Sequence, residues 1–179
     1  MYEVEVKVPA DHDAVREQLS AEGAESLGSV VQEDTYYDAP HRDFAETDEA
    51  VRIRREDGDD ESRIQLTYKG PKVDAESKTR EEIEAGVESG EAIDGVLQAL
   101  GFEVAAVVRK ERARYRLDGY LVVLDTVEGV GEFVEVETEA ADVDAARGGA
   151  FEILERLGLD PDEQVRTSYL GLLLADAQQ

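Results

Sequence analysis

The segment YEVEVKV, residues 2–8, alternates apolar and charged side chains. Successive side chains of a β-strand point to opposite faces, so Glu3, Glu5 and Lys7 share one face and the tyrosine and valines share the other. The same alternation returns in three further segments: AVRIRR (50–55), VRKERARY (108–115) and FVEVE (133–137). If these charged faces converge, they predict a cavity in which carboxylates lie opposite cations.

The composition limits what such a cavity could bind. The 179 residues suffice for one well-filled domain, and no stretch rich in Pro, Gly or Ser divides them. A net charge of -25 repels nucleic acids and anionic membranes, so a polyanionic substrate requires a segregated basic pocket. The 44 acidic against 19 basic residues resemble the surfaces of proteins from high-salt cytoplasm, the alternative being an ordinary acidic protein.

Two absences narrow the chemistry and the location. The chain has no cysteine, which excludes disulfides, thiolate metal sites and thiol nucleophiles. The N-terminus enters a charged strand at once, and no apolar run approaches the ~18 residues of a membrane span. We therefore expect a soluble cytoplasmic protein without a signal peptide.

The hydrophobic periodicity predicts strands separated by a few helices. Helices are predicted from Asp11 or Asp13 to Gly23, around Asp94, from about Asp142, and over residues 168–177. Eight strands are predicted, over residues 2–8, 30–37, 49–55, 63–69, 78–85, 104–117, 120–127 and 132–139.

Eight strands joined mostly by short turns favour an antiparallel sheet closed into a barrel, because closure removes exposed edges. The predicted fold class is therefore α+β, an eight-stranded antiparallel β-barrel with flanking helices. The valine faces would point outward under the helices and the charged faces inward. A charged interior implies a water-filled tunnel.

The order of the charged segments resembles the CYTH, or triphosphate tunnel metalloenzyme, superfamily. Its ExExK signature corresponds to Glu3-Val-Glu-Val-Lys7, and the stretch from Asp34 to Arg54 is similar to the class IV adenylate cyclase (CyaB-type) branch. Further motifs follow in the same order: DTYYD (34–38), RDF (42–44), AVRIR (50–54), TYKGP (67–71), REEIE (80–84), KER (110–112), LD (124–125), GEFVEVE (131–137) and SYL (168–170). The resemblance implies a single CYTH domain over residues 1–179.

The resemblance also implies a tunnel that binds a triphosphate and divalent cations. Mg²⁺ and Mn²⁺ prefer hard oxygen ligands and often share them with substrate phosphates. The expected metal ligands are Glu3, Glu5, Asp125, Glu135 and Glu137. The alternative for Glu135 and Glu137 is a structural role, in which they face solvent or pair with Arg52 and Arg54.

The expected triphosphate ligands are the cations that alternate onto the interior face. Guanidinium groups grip phosphate bidentately, and lysines act as point charges. The set comprises Lys7, Arg52, Arg54, Lys69, Arg80, Lys110 and Arg112. A catalytic role is expected for Lys7, Arg52, Arg54, Lys110 and Arg112. Arg114 and Arg116 are left out as lying beyond the tunnel mouth. Glu82 and Glu84 are expected to hold Arg80 and its neighbours in place, the alternative being secondary metal ligands.

Three functions fit such a tunnel. The favoured prediction is an adenylate cyclase, in which the ribose 3′ oxygen of ATP attacks the α-phosphorus and pyrophosphate leaves. The first alternative is a triphosphatase that hydrolyses inorganic or organic triphosphate, and the second is a non-catalytic nucleotide-binding or polyphosphate-binding module. A homodimer is a further expectation, since related proteins are often dimers.

Overall fold

The protein consists of eight β-strands with helices between and after them, and the computed structural model describes residues 1–177. The strands are β1 (Tyr2–Pro9), β2 (Glu25–Asp38), β3 (Ala50–Gly58), β4 (Ser62–Lys69), β5 (Glu82–Gly86), β6 (Glu103–Leu117), β7 (Tyr120–Val127) and β8 (Gly131–Ala140). The helices are α1 (His12–Ala21), α2 (Phe44–Thr47), α3 (Gly90–Ala99), α4 (Val143–Arg156) and α5 (Tyr169–Ala177).

All eight strands belong to one antiparallel sheet, in the order β1-β8-β7-β6-β2-β3-β4-β5. The two edges of the sheet meet where Glu3 and Arg80 exchange backbone hydrogen bonds of 3.2 and 3.3 Å. The sheet therefore curls into a barrel whose seam is a single bridge just ahead of β5. The predicted α+β fold with an eight-stranded antiparallel barrel is confirmed.

The apolar core lies outside the barrel, between the strands and the helices. Val6 and Val8 of β1 and Val122 of β7 are buried in one cluster with Leu19 of α1 and Leu154 of α4. Burying each such side chain contributes about 1.5–3 kcal/mol. Because side chains alternate along a strand, this outward apolar packing directs the charged residues of the same strands into the barrel.

Local signals fix the helix starts. Asp11 accepts a hydrogen bond from the Asp13 amide (2.9 Å) at the start of α1, and Asp142 accepts one from the Ala145 amide (3.0 Å) at the start of α4. Such N-caps satisfy amides that have no partner in the first helical turn. No helix within residues 1–177 is long and apolar enough to cross a membrane.

The structure corrects two predicted strand starts and adds one short helix. β2 begins at Glu25 rather than at residue 30, and Gly28 (φ 86°) lies at an irregularity in its pairing with β6. The strand predicted over residues 78–85 begins only at Glu82, because residues 73–79 form a loop closed by a hydrogen bond from the Val73 amide to the Thr79 carbonyl (2.8 Å). α2 was not predicted, and at four residues it is too short to show a period.

Candidate active site

A cavity of about 650 Å³ runs inside the barrel. Most strands contribute charged side chains to its lining: Glu3 and Glu5 from β1, Arg52 and Arg54 from β3, Lys69 from β4, Glu82 from β5, Lys110 and Arg112 from β6, and Glu135 and Glu137 from β8. The predicted convergence of the charged faces on one cavity is therefore present. Carboxylates from β1 and β8 gather at one place on the wall, and several cations lie beside them: Lys78 pairs with Glu5, and Arg112 lies 3.9 Å from Glu137.

The acidic part is a three-carboxylate cluster formed by Glu3, Glu5 and Glu137. Each offers an oxygen within 4.8 Å of the other two, because β1 pairs with β8 and places Glu5 opposite Glu137. Burial raises the pKa of Glu3 to about 9, with Lys69 opposing and Glu137 adding to the shift. Burial also raises the pKa of Glu137 to about 7. Three hard oxygen donors whose charges repel one another suit a divalent cation such as Mg²⁺ or Mn²⁺.

The other two predicted metal ligands bind an arginine instead. Asp125 accepts two hydrogen bonds of 2.7 Å from Arg112, and Glu135 accepts one of 3.0 Å from the same guanidinium. The Tyr169 hydroxyl also donates to Asp125 (2.8 Å). Among residues 1–177, the three-carboxylate cluster therefore includes neither Asp125 nor Glu135, and both of these carboxylates contact Arg112.

The basic part of the wall is organised by Asp34, which the sequence analysis quoted in a motif but gave no role. Arg54 donates two hydrogen bonds of 2.7 Å to Asp34, and the nearest nitrogens of Arg52 and Lys110 lie 3.6 and 3.9 Å from it. Burial acts to raise the pKa of Asp34, but Arg52 and Arg54 outweigh it and hold that pKa far below its usual range. One buried carboxylate thus fixes three cations. Asp34 has the two-residue spacing that places it on the same strand face as Gln32 and Tyr36, and this spacing could have predicted its interior position.

Lys7 does not line the cavity, although its strand position is as predicted. Its ammonium donates to the Thr167 carbonyl (2.6 Å) and lies 4.0 Å from the centre of the Tyr169 ring. The Lys110 ammonium lies 4.9 Å from the same ring. Burial lowers the pKa of both lysines to about 7, helped by Lys78 for Lys7 and by Arg112 for Lys110.

The remaining predicted cations lie at the β4–β5 side. Lys69 forms an ion pair with Glu82, and the supporting role of Glu82 and Glu84 stays a prediction. Arg80 donates to the Gly70 carbonyl (3.0 Å) and lies 3.5 Å from the Asp48 carboxylate. Both basic side chains line the cavity.

The cavity extends further than predicted at its other end. Arg114 and Arg116, which the sequence analysis placed beyond the mouth, line it. Arg114 and Arg63 lie 3.7 and 3.1 Å from the carboxylate of Glu56.

Lys78 is the second residue that the sequence analysis missed. Its ammonium donates to Glu5 (2.6 Å), a member of the three-carboxylate cluster. Burial lowers the pKa of Lys78, but Glu5 and Glu135 more than offset this and hold it above its ordinary value. The two-residue spacing of Lys78, Arg80 and Glu82 could have revealed it.

Comparison with known proteins identifies the family. The sequence pattern of the CYTH domain matches residues 1–169. The chain belongs to the CYTH domain family. This CYTH chain is 42% identical over 176 residues to a protein of Methanocaldococcus jannaschii named as a candidate adenylate cyclase, with 96% of this chain and 98% of that protein covered.

Solved structures of CYTH-like proteins share the architecture. The PH1819 protein of Pyrococcus horikoshii matches with a TM-score of 0.91 and 39% identity, over 97% of this chain and 98% of that one. The HpAC1 protein of Hippeastrum matches with a TM-score of 0.68 and 20% identity, over 97% and 95% of the two chains. The second likeness extends to the fold alone.

Proposed function

We propose that this CYTH chain is a divalent-metal-dependent enzyme that acts on triphosphates, and that its reaction converts ATP into cyclic AMP and pyrophosphate. The observation that carries the proposal is that the cluster of Glu3, Glu5 and Glu137 lines the same cavity as Arg54 and Lys110. The 42% identity to a candidate adenylate cyclase favours cyclisation as the reaction.

The basic wall would bind and orient the triphosphate. Arg54 is held by both oxygens of Asp34, and Arg112 is held by Asp125 and Glu135. Guanidinium groups fixed in this way are preorganised, so they stabilise developing phosphate charge without reorganising during the reaction. Arg52 and Lys110 add positive charge beside them, and together these groups hold the reacting phosphorus in position.

The three-carboxylate cluster would hold the metal. Glu3, Glu5 and Glu137 supply the oxygen ligands that Mg²⁺ and Mn²⁺ prefer. A cation bound there supplies positive charge to the phosphate oxygens and lowers the pKa of a nearby hydroxyl or water. In cyclisation a bond forms between the ribose 3′ oxygen and the α-phosphorus, the bond from that phosphorus to the bridging oxygen breaks, and pyrophosphate carries the electron pair away.

Triphosphate hydrolysis is the second candidate. The Hippeastrum protein, described as a candidate adenylyl cyclase, has a dominant triphosphatase activity. Lysine and arginine side chains of β3, β4 and β6 line the cavity, and they suit the phosphates of inorganic and organic triphosphates alike. In this reaction a water oxygen would form a bond to the terminal phosphorus, the bond from that phosphorus to the bridging oxygen would break, and the basic wall would bind the phosphates that leave with the electron pair.

Three finer features belong to the same proposal. We expect Mg²⁺ or Mn²⁺ as the cofactor, because all three ligands are carboxylates. We expect a high-salt working environment in the cytoplasm, because the chain carries a net charge of -25. A homodimer stays a prediction.

Product analysis tests the proposal. The purified protein is incubated at high KCl with Mg²⁺ or Mn²⁺, once with ATP and once with tripolyphosphate. Cyclic AMP and pyrophosphate that disappear in Glu5→Gln are expected. Orthophosphate without cyclic AMP would indicate a triphosphatase rather than a cyclase. Tight binding without any product would indicate a non-catalytic nucleotide-binding module.

A further inference from the structure

One cation of the cavity is directed at the three-carboxylate cluster rather than at the basic wall. The Lys78 ammonium donates to Glu5 Oε1 at 2.6 Å, and the Lys78 amide donates to the Glu5 carbonyl at 3.0 Å. Both side chains are about nine-tenths buried and line the cavity. Lys78 therefore uses the same carboxylate that the metal cluster requires.

The loop that carries Lys78 is internally ordered. The Val73 amide donates to the Thr79 carbonyl (2.8 Å) and closes the loop at its base. Ser77 is fully buried, and its hydroxyl lies 2.5 Å from the Asp74 carboxylate and 2.6 Å from the Thr79 hydroxyl. Hydrogen bonds of 2.5–2.8 Å thus close the base of the loop and link Ser77 to Asp74 and Thr79.

Two arginines from distant parts of the chain anchor the loop. Arg166, just ahead of α5, donates to the Asp74 carbonyl (2.6 Å) and to the Ser77 carbonyl (3.1 Å). Arg147 of α4 donates to both Asp74 carboxylate oxygens at 2.9 Å. With the loop held on both sides, the freedom left to Lys78 is rotation of its own flexible side chain.

Repulsion between a bound divalent cation and the Lys78 ammonium gives a physical reason for that rotation. A divalent cation coordinated by Glu5 places two positive charges beside an ammonium that now shares the same carboxylate, and like charges at such distances in a cavity repel strongly. The Lys78 ammonium would then need another anionic partner. A triphosphate bound across the cavity supplies phosphate oxygens, and a lysine serves them as a point charge.

We propose that Lys78 is a positioning residue that exchanges between two partners: it pairs with Glu5, is displaced when a divalent cation takes that carboxylate, and then binds the triphosphate. The second half of the exchange, in which Lys78 binds the triphosphate, rests on the proposed function. The exchange couples the two ligands, because binding of the divalent cation or of the triphosphate raises the affinity of the protein for the other.

The test measures the two halves separately on Lys78→Met. In the first half, Mn²⁺ alone is titrated into the protein and its binding is measured by calorimetry. We expect Lys78→Met to bind Mn²⁺ with a Kd about tenfold lower than that of the wild type, because the charge-assisted hydrogen bond from Lys78 no longer competes for Glu5. Titration of imidotriphosphate, which resists hydrolysis, at saturating Mn²⁺ is expected to give a Kd about tenfold higher, since a phosphate ligand is gone.

Lys72→Met is the matched control. Lys72 also lines the cavity, but it pairs with Asp48 (2.6 Å) and does not contact Glu5. The substitution also removes one positive charge from the cavity. A change in Mn²⁺ affinity that came only from the lower total charge would therefore appear in both variants. We expect its Mn²⁺ Kd to change less than about twofold, as is usual for a single partly exposed charge.

The outcomes separate the inference from the proposed function. Mn²⁺ binding that is unchanged or weaker in Lys78→Met, with thermal unfolding showing a folded variant, would overturn the competition. Unchanged imidotriphosphate binding in that variant would overturn the exchange. A wild type that binds Mn²⁺ but not imidotriphosphate would refute the proposed function and the second half together, while the Mn²⁺ titration would still decide the first half.

Discussion

Asp34 is the residue whose removal should most disturb the basic wall. It is 1% exposed, binds Arg54 through two hydrogen bonds of 2.7 Å, and has the nearest nitrogens of Arg52 and Lys110 at 3.6 and 3.9 Å. Asp34→Asn keeps the shape of the side chain and removes its charge. Because three buried cations then lose a shared counter-charge, we expect a loss of about 3–5 kcal/mol in the free energy of unfolding.

The sign of the pH dependence follows from the lowered pKa of Asp34. Since that pKa lies below the value of about 3.9 in the unfolded chain, its stabilisation is complete above pH ~4 and is lost as the pH falls further. Measurement at neutral pH therefore captures the whole effect. Urea is the suitable denaturant, because guanidinium would itself screen the charges under test.

Glu33→Gln is the matched control for this experiment. Glu33 is the neighbour of Asp34 on the same strand and pairs with Arg109 at 3.2 Å, but both side chains are substantially exposed. An exposed pair of this kind contributes about 0–1 kcal/mol. If Asp34→Asn costs no more than Glu33→Gln in urea titrations followed by circular dichroism, the idea that Asp34 organises the basic wall is refuted.

Three further predictions concern the metal, pH and salt. Glu137→Gln should raise the Mn²⁺ Kd at least about tenfold in calorimetry, because the cluster loses one of its charged ligands; an unchanged Kd would place the metal elsewhere. Lys110 has a pKa of about 7 in the folded protein against about 10.4 when unfolded, so it makes the free energy of unfolding rise with pH between those values. Lys110→Met should flatten that rise in urea titrations between pH 7 and 9, and an identical slope would contradict the buried-ammonium explanation. Because acidic residues outnumber basic ones by 44 to 19, lowering KCl should lower the thermal midpoint, and a flat or rising midpoint would count against a high-salt protein.

Side-chain alternation could predict which faces meet in the cavity. The two-residue period places Glu3 with Glu5, Arg52 with Arg54, and Glu135 with Glu137, and no knowledge of strand order is needed for this. The apolar residues between them then have to face the helices. The barrel and its charged interior could therefore be predicted from the sequence.

Alternation could not predict which charges would pair across strands. Arg112 lies opposite Asp125 because β6 pairs with β7 in one particular register, and this pairing engages Asp125 with Arg112 outside the three-carboxylate cluster. Lys7 has the predicted strand position, yet Thr167 and Tyr169 take up its ammonium, and they lie 160 and more residues away. Such contacts depend on long-range packing, which the local pattern does not contain.

Lys78 shows the same limit for loops. Its distance from Glu5 is decided by the closed loop over residues 73–79 and by Arg147 and Arg166, not by a strand period. The sequence places Lys78 two residues before Arg80, which is a hint of a shared face. Only the structure shows that its partner is Glu5 of the three-carboxylate cluster.

We propose that the cavity binds a triphosphate against a metal held by Glu3, Glu5 and Glu137. Anomalous diffraction from crystals grown with Mn²⁺ and imidotriphosphate would locate both ligands. We expect an Mn²⁺ peak among those three carboxylates, with phosphate oxygens contacting Arg54 and Lys110. An Mn²⁺ peak at Asp125, or a triphosphate bound outside the barrel, would contradict it.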